Sequence, residues 1–370
     1  MKFFNSPNIC SFAGARSGSR THNASRIRHW LFAIVVISFA TLAQIGQSEP
    51  PPLQIVKTIP LLGVTGKFDH FAIDTAGNRL FVAATGNHSV EVVNLTTGKV
   101  EQSITGLGKP HGLAWIEHTH SLYVADGSLA ELRCYQGSSL KLTGTLKLSN
   151  DADDMVYNEA NHLLFVGHGG SDAASPALIA VVDTDTFDLK ANIPVATHPE
   201  ALDIDVEGQR VFANIADSSE VALLDGAGKA VTSRWKLAKA SDNVPLAYDA
   251  SHHVLYVACR KPASLIAIDA TSGKELSAAP IGQGADDLFY NSALHRVYVI
   301  SGASEVDEFQ IDSSGGLHSL GIIHTAPGAK TALFVPSQAL LYVGVPGIDG
   351  HPSEIRVYAT TSRRPTSEVK

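Results

Sequence analysis

Short apolar runs, each closed by a turn rich in Gly, Asn, Asp or Ser, recur along the chain at near-constant spacing. An aliphatic residue, an aromatic and usually Val lead into a polar turn in RLFVAATG (79–86), SLYVADGS (121–128), LLFVGHGG (163–170), RVFANIAD (210–217), VLYVACRK (254–261), RVYVISGA (296–303) and LLYVGVPG (340–347). The aliphatic residues Leu80, Leu122, Leu164, Val211, Leu255, Val297 and Leu341 serve as anchors, separated by 42, 42, 47, 44, 42 and 44 residues. Self-similarity at such a period marks one supersecondary unit used repeatedly.

Within each period the pattern predicts four short strands. In the first these are FAID (71–74), LFVAA (80–84), VEVVNL (90–95) and VEQSI (100–104), divided by turns such as Ala76-Gly77-Asn78 and Thr97-Gly98-Lys99. Strands this short and apolar on both faces need a sheet on either side, which radial stacking supplies. No amphipathic helical stretch of useful length separates them, so a parallel α/β fold is disfavoured. The predicted fold is all-β: a seven-bladed β-propeller of four-stranded antiparallel blades. The seventh copy has strands near 331–335, 340–345 and 354–359 and no fourth. The segment LQIVKTIPL (53–61) is expected to supply it, closing the ring and removing a free sheet edge.

The first 48 residues break the pattern. Lys2, Arg16, Arg20, Arg26 and Arg28, with no acidic residue, precede the apolar run Trp30–Ala43, as in a secretory signal or an N-terminal anchor. Three segments are therefore expected: the export segment 1–48, the propeller 49–360 and a polar tail 361–370, with a periplasmic or secreted location. Those five residues leave 23 basic against 36 acidic residues, a formal charge of −13 after residue 48. Nucleic-acid and anionic-membrane binding are disfavoured by that balance. Cys134 and Cys259 fall in different repeats, so neither a disulfide framework nor a cysteine metal site is expected.

Candidate chemistry follows from the repeat register. Eleven positions before the anchors stand Asp69, His111, Asp153, Glu200, Val244, Asp286 and Lys330; one position later, His70, Gly112, Asp154, Ala201, Pro245, Asp287 and Thr331. The next column, Phe71, Leu113, Met155, Leu202, Leu246, Leu288 and Ala332, is apolar and should pack inside the blades. The polar columns are expected at one mouth of the central channel. A divalent cation is the cofactor these residues suit, held by Asp69, His111, Asp153, Glu200 and Asp286, and crowded carboxylates should raise one another's pKa values. Arg260, Lys261 and Lys330 could receive an anionic group or else balance the carboxylates. Asp183-Thr-Asp185 lies in a strand turn and lacks the further ligands of a calcium loop. Solvated turn carboxylates are the plainer reading throughout.

Phrases such as RLFVAATGNHSVEVVNLTTGKV and IPVATHPEALDID resemble the repeats of the YVTN β-propeller family, and among these the exported YncE-like bacterial proteins, over residues 53–360. The resemblance implies an extracytoplasmic seven-bladed propeller and includes lactonase-like and amine-dehydrogenase-like relatives, without fixing an activity. Two functions are weighed on the residues. One is a non-catalytic scaffold, expected to be monomeric, binding a small molecule, peptide or envelope protein at an acidic funnel. The other is a metal-assisted hydrolase or lactonase-like enzyme, with the funnel carboxylates holding a cation and His111 or His70 moving protons. The amount of sequence devoted to blade packing favours binding over turnover.

Overall fold

A computed structural model describes residues 53–172, 174–205, 209–348 and 350–360. The expected export segment 1–48 and the tail 361–370 lie outside the described residues. Blade 1 consists of Phe71–Asp74, Arg79–Ala84, Ser89–Asn94 and Lys99–Ile104, hydrogen-bonded in that order. The innermost strands of blades 2–6 are Pro110–Ile116, Met155–Asn158, Pro199–Asp205, Ser241–Asp249 and Ala285–Asn291. Blade 7 contains Ala332–Val335, Leu340–Val345 and Ser353–Ala359, and its outermost strand is Gln54–Leu61, antiparallel to Ser353–Ala359. The predicted seven-bladed architecture and its N-terminal closing strand are thus both observed. Among the described residues no helix is long and apolar enough to cross a membrane.

Seven interblade cores hold the ring, and each follows the same rule. In a strand, successive side chains point to opposite faces, so each anchor faces one neighbouring blade and the aromatic after it faces the other. Phe81 packs with Leu122, Tyr123 with Leu164, Phe165 with Val211 and Phe212 with Leu255. Tyr256 then packs with Val297, Tyr298 with Leu341, and Tyr342 returns to Leu80 with Ile59 and Leu61 of the closing strand. All seven anchors are fully buried. Fully burying one such side chain is worth about 1.5–3 kcal/mol, so the repeated phrase is the main adhesive between blades. Cys134 and Cys259 are buried free thiols.

The turn before each anchor also repeats. Asn78, His120, His162, Gln209, His253, His295 and Ala339, each two positions before its anchor, all have positive φ. Asn and His enter this left-handed region more readily than most side chains. The turn before the anchors therefore employs four of the chain's sixteen histidines.

Candidate functional site

The two polar columns reach the channel because the innermost strands are irregular where they begin. In an ordinary strand adjacent residues point to opposite faces. Here the register between the first two strands shifts between Pro110 and Leu113, Pro199 and Leu202, Asn243 and Leu246, and Ala285 and Asp287. A β-bulge of this kind re-aims a side chain that regular pairing would direct elsewhere. Close approach of neighbouring blades completes the arrangement. A Cβ on Gly112 would lie 2.1 Å from the Asp153 carbonyl oxygen, so only glycine lets blade 2 bring His111 against blade 3.

Two cavities result, one above the other. The outer vestibule, about 190 Å³, is lined by Lys67, Asp69, His70, His111, Asp153, Glu200, Val244, Arg260, Asp286 and Lys330. The inner channel, about 350 Å³, is walled by the apolar column with His70, Asp154, Asp203 and Asp287. The apolar column is buried, as expected, but it lines the channel and does not simply fill the blades. His70 borders both cavities and stands between them.

His70 faces four carboxylates. Nε2 lies 3.8 Å from Asp69 and 3.9 Å from Asp153, and Nδ1 lies 3.9 Å from Asp154 and 3.8 Å from Asp287. Burial opposes its protonation, but the charges of Asp154, Asp69, Asp287 and Asp153 outweigh it and lift its pKa to about 10. Asp154 and Asp287 sit deeper than the mouth assigned to them from the register. Each spends one oxygen on the next blade, Asp154 accepting from the Leu202 N–H at 2.8 Å and Asp287 from the Ala332 N–H at 2.6 Å. Asp203 does the same with Tyr248 N–H at 2.7 Å. These carboxylates latch adjacent blades. Burial pushes Asp287 up to about 7 and Asp203 to about 6.

Asp153 is the centre of the vestibule's first half. His111 Nδ1 lies 3.6 Å from Oδ1, and His198 Nε2 lies 3.6 Å from Oδ2. Crowded carboxylates were expected to raise one another's pKa, yet Asp153 is held down at about 2: burial acts to raise it, and His198, His111 and His70 prevail. His198 donates Nδ1–H to the Gly169 carbonyl at 2.7 Å, which fixes the tautomer and aims Nε2 at Asp153. Burial works against its proton, but Asp153 and the Gly169 carbonyl raise its pKa to about 9. Glu200 is raised to about 7, by burial first and by Asp153 second. His111 donates Nδ1–H to Asp69, while its Nε2 is buried without a partner. Its pKa is raised because that bond and the Asp153 charge exceed the effect of burial.

The second half of the vestibule is closed. Asp286 accepts from Arg260 Nη2 and pairs with Lys330 Nζ at 2.5 Å, and Arg260 Nε also donates to the Ala285 carbonyl at 2.9 Å. Lys261 points outward to Asp242, 3.1 Å away. The structure therefore commits Arg260, Lys261 and Lys330 to neighbouring carboxylates, which is the second of the two roles weighed for them. Each Asp286 oxygen meets one of these cations, whereas His111 uses only Nδ1 on Asp69 and keeps its Nε2 buried without a partner.

Two metal-compatible groups remain at the mouth, Asp69–His70–Asp153 and Asp153–His198–Glu200, each offering one ligand atom per residue within 4.8 Å of the others. Asp153 belongs to both. Sequence reasoning missed His198 and Lys67. Both stand thirteen positions before an anchor, so extending the register two residues outward would have found them.

No family model matches the chain. A curated seven-bladed β-propeller protein of Mycobacterium tuberculosis is 27% identical over 160 residues, covering 42% of this chain and 39% of that relative's length. Among solved structures, Kuenenia stuttgartiensis hydrazine synthase aligns with a TM-score of 0.67 at 16% identity, over 76% of this chain and 95% of that one. A chain of the mitotic checkpoint complex aligns with a TM-score of 0.70 at 12% identity, over 91% and 100%. At such identities the solved structures share the fold alone.

Proposed function

We propose that this protein is an exported, YVTN-type binding propeller whose ligand is received at the channel mouth through a divalent cation. Asp153, His198 and Glu200 hold the ion, with Asp69 and His70 on its flank. One observation carries the reading: the His198 and His70 imidazoles face the Asp153 carboxylate at 3.6 and 3.9 Å, too far to be well-made hydrogen bonds. Two ligands of one tetrahedral ion, each about 2.1 Å from it, stand about 3.4 Å apart, so these gaps fit a shared cation. The mixed oxygen and nitrogen set favours Zn²⁺ or Mn²⁺ over Ca²⁺. A vestibule of 190 Å³ has room for about six waters at ~30 Å³ each, enough for the ion and a small oxygen-bearing ligand.

The test is unfolding of chelator-stripped protein with 1 mM Zn²⁺, Mn²⁺, Mg²⁺ or Ca²⁺. An ion held at ~10 µM, a hundredfold below its supply, raises the unfolding free energy by about 2.7 kcal/mol, and Asp153→Asn removes the part owed to the mouth. If none of the four ions shifts the transition of the unaltered protein, or if Asp153→Asn leaves the shift intact, the cation is not held here.

Glu200 favours a second reading. Burial, and after it the Asp153 charge, raise Glu200 to about 7 without an ion; with the ion held instead by Asp69, His70 and Asp153, Glu200 is left beside it to take and return a proton. In a metal-assisted hydrolase, cation-loaded protein would turn over lactones or esters, and Glu200→Gln would abolish turnover by more than the loss of ion accounts for. A lactone and ester panel without turnover leaves binding alone.

A further inference from the structure

The end of the ring opposite the mouth carries another convergence of ligand-type side chains, at the seam between blades 2 and 3. His118 follows the strand Pro110–Ile116, and His162 holds the left-handed turn before Leu163–His168. Asp185 lies in the turn between Leu178–Asp183 and Asp188–Pro194. Because the strands are antiparallel, these three turns share the blade ends remote from Asp153 and Glu200.

His118 Nε2 reaches one oxygen of Asp185 at 2.8 Å, and His162 Nδ1 reaches the other at 2.8 Å. The two imidazole centroids are 4.4 Å apart, and one ligand atom from each of the three residues lies within 4.8 Å of the others. Several bonds set the geometry in advance. The His162 carbonyl accepts from Thr184 N–H at 2.9 Å and from its hydroxyl at 3.0 Å. Asp183 Oδ1 accepts the Asp185 and Thr186 N–H groups at 3.0 and 3.1 Å. Behind His118, the Tyr157 hydroxyl lies 3.0 Å from Nδ1. A partner on the second ring nitrogen is what orients a metal-bound imidazole.

We infer that His118, His162 and Asp185 form a second, interblade site for a divalent transition-metal ion such as Zn²⁺, Ni²⁺ or Cu²⁺, with water completing the coordination. Two imidazoles and one carboxylate match that class and not Ca²⁺ or Mg²⁺. The residues are a third to a half exposed, so the ion reaches them from solvent. Ion binding replaces two His–Asp hydrogen bonds. The His118 proton moves from Nε2 to Nδ1, where Tyr157 accepts it, and the His162 proton moves to Nε2. Each His–Asp pair opens from 2.8 Å to about 3.4 Å, the spacing of two ligands on one tetrahedral ion. The ion thereby bridges adjacent blades at the rim of the interblade core against which Tyr157 packs.

The site is read by equilibrium dialysis of the chelator-stripped full chain against Zn²⁺ at pH 7.5. In Asp153→Asn, where the mouth is disabled, one ion per chain should remain, and adding His118→Ala should remove it. Tyr157→Phe should keep the stoichiometry and weaken affinity by about tenfold. Should Asp153→Asn fail to fold, His118→Ala in the otherwise unaltered protein should bind one ion fewer per chain. No ion bound by Asp153→Asn, or an unchanged count in His118→Ala, overturns the assignment. Because the two variants act at opposite ends of the ring, failure here is distinguishable from failure at the mouth.

Discussion

Asp153 and Asp286 occupy the same position in the repeat, eleven residues before an anchor, and both border the vestibule, yet they have opposite surroundings. Asp286 meets permanent cations at contact distance, Lys330 at 2.5 Å and the Arg260 fork. Asp153 meets three imidazoles, none closer than 3.6 Å. In the first arrangement each carboxylate oxygen is held by a permanent cation. The second is held apart, and its imidazole partners are side chains that can give up a proton to bind a metal ion. Equivalent carboxylates in one ring thus serve two purposes, and the neighbouring blades decide which. Blades 5–7 close their side of the mouth with ion pairs, and on blades 1, 3 and 4 the imidazoles and Asp153 stand apart.

The sharpest way to break this comparison is to neutralise each carboxylate in turn. Asp153→Asn should weaken divalent-cation affinity at the mouth by at least about a hundredfold, roughly 2.7 kcal/mol, because it removes the residue common to both metal-compatible groups. Asp286→Asn should leave that affinity within about threefold. It should instead lower stability by about 1–3 kcal/mol, since two cations would face each other without their carboxylate; their partial exposure keeps this below the figure for a fully buried pair. Calorimetric titration and denaturant unfolding of both variants check the pair. Equal loss of affinity in the two would erase the distinction between the halves.

Acidity sharpens it further. A neutral His198 binds a metal and a protonated one does not. With its pKa raised to about 9, chiefly by Asp153 and the Gly169 carbonyl acting against burial, apparent affinity should fall about tenfold per pH unit between pH 9 and pH 7, one proton being displaced. Below about pH 7, protonation of Glu200 should steepen the decline. His198→Ala should bind more weakly at pH 9 and lose the slope above pH 7. A flat profile between pH 7 and pH 9 in the unaltered protein would mean that His198 is not a ligand.

The sequence made the ring legible because packing is local and repeated: each anchor and its following aromatic must fill the same space between two blades. The mouth was legible in position for the same reason. Its division was not, because it depends on contacts between blades that no single repeat records. Asp286 meets Arg260 from the preceding blade and Lys330 from the following one. The depth of Asp154 and Asp287 was hidden as well, since their function is to hold backbone N–H groups of blades 4 and 7. His198 escaped notice by lying two residues outside the chosen column. Asp185, which the sequence places in a strand turn, meets its histidine partners from 67 and 23 residues away.

Lys330 supplies the smallest effect and the finest test of the closed half. Its ammonium is a third exposed, and Arg260 holds Asp286 independently, anchored by its own Nε bond to the Ala285 carbonyl at 2.9 Å. Lys330→Ala should therefore cost no more than about 1 kcal/mol of stability, as expected for one partly solvated pair whose carboxylate keeps another partner. It should leave cation affinity within about threefold, because the metal-compatible groups lie across the vestibule on blades 1, 3 and 4. Arg260→Ala should destabilise more than Lys330→Ala, since it strands both the Ala285 carbonyl and one oxygen of Asp286. Denaturant unfolding of the two variants at pH 7.5 reads that order. Were Lys330→Ala to weaken cation binding as severely as Asp153→Asn, the mouth would be a single coupled ring, and the contrast between its halves would be one of contact distance only.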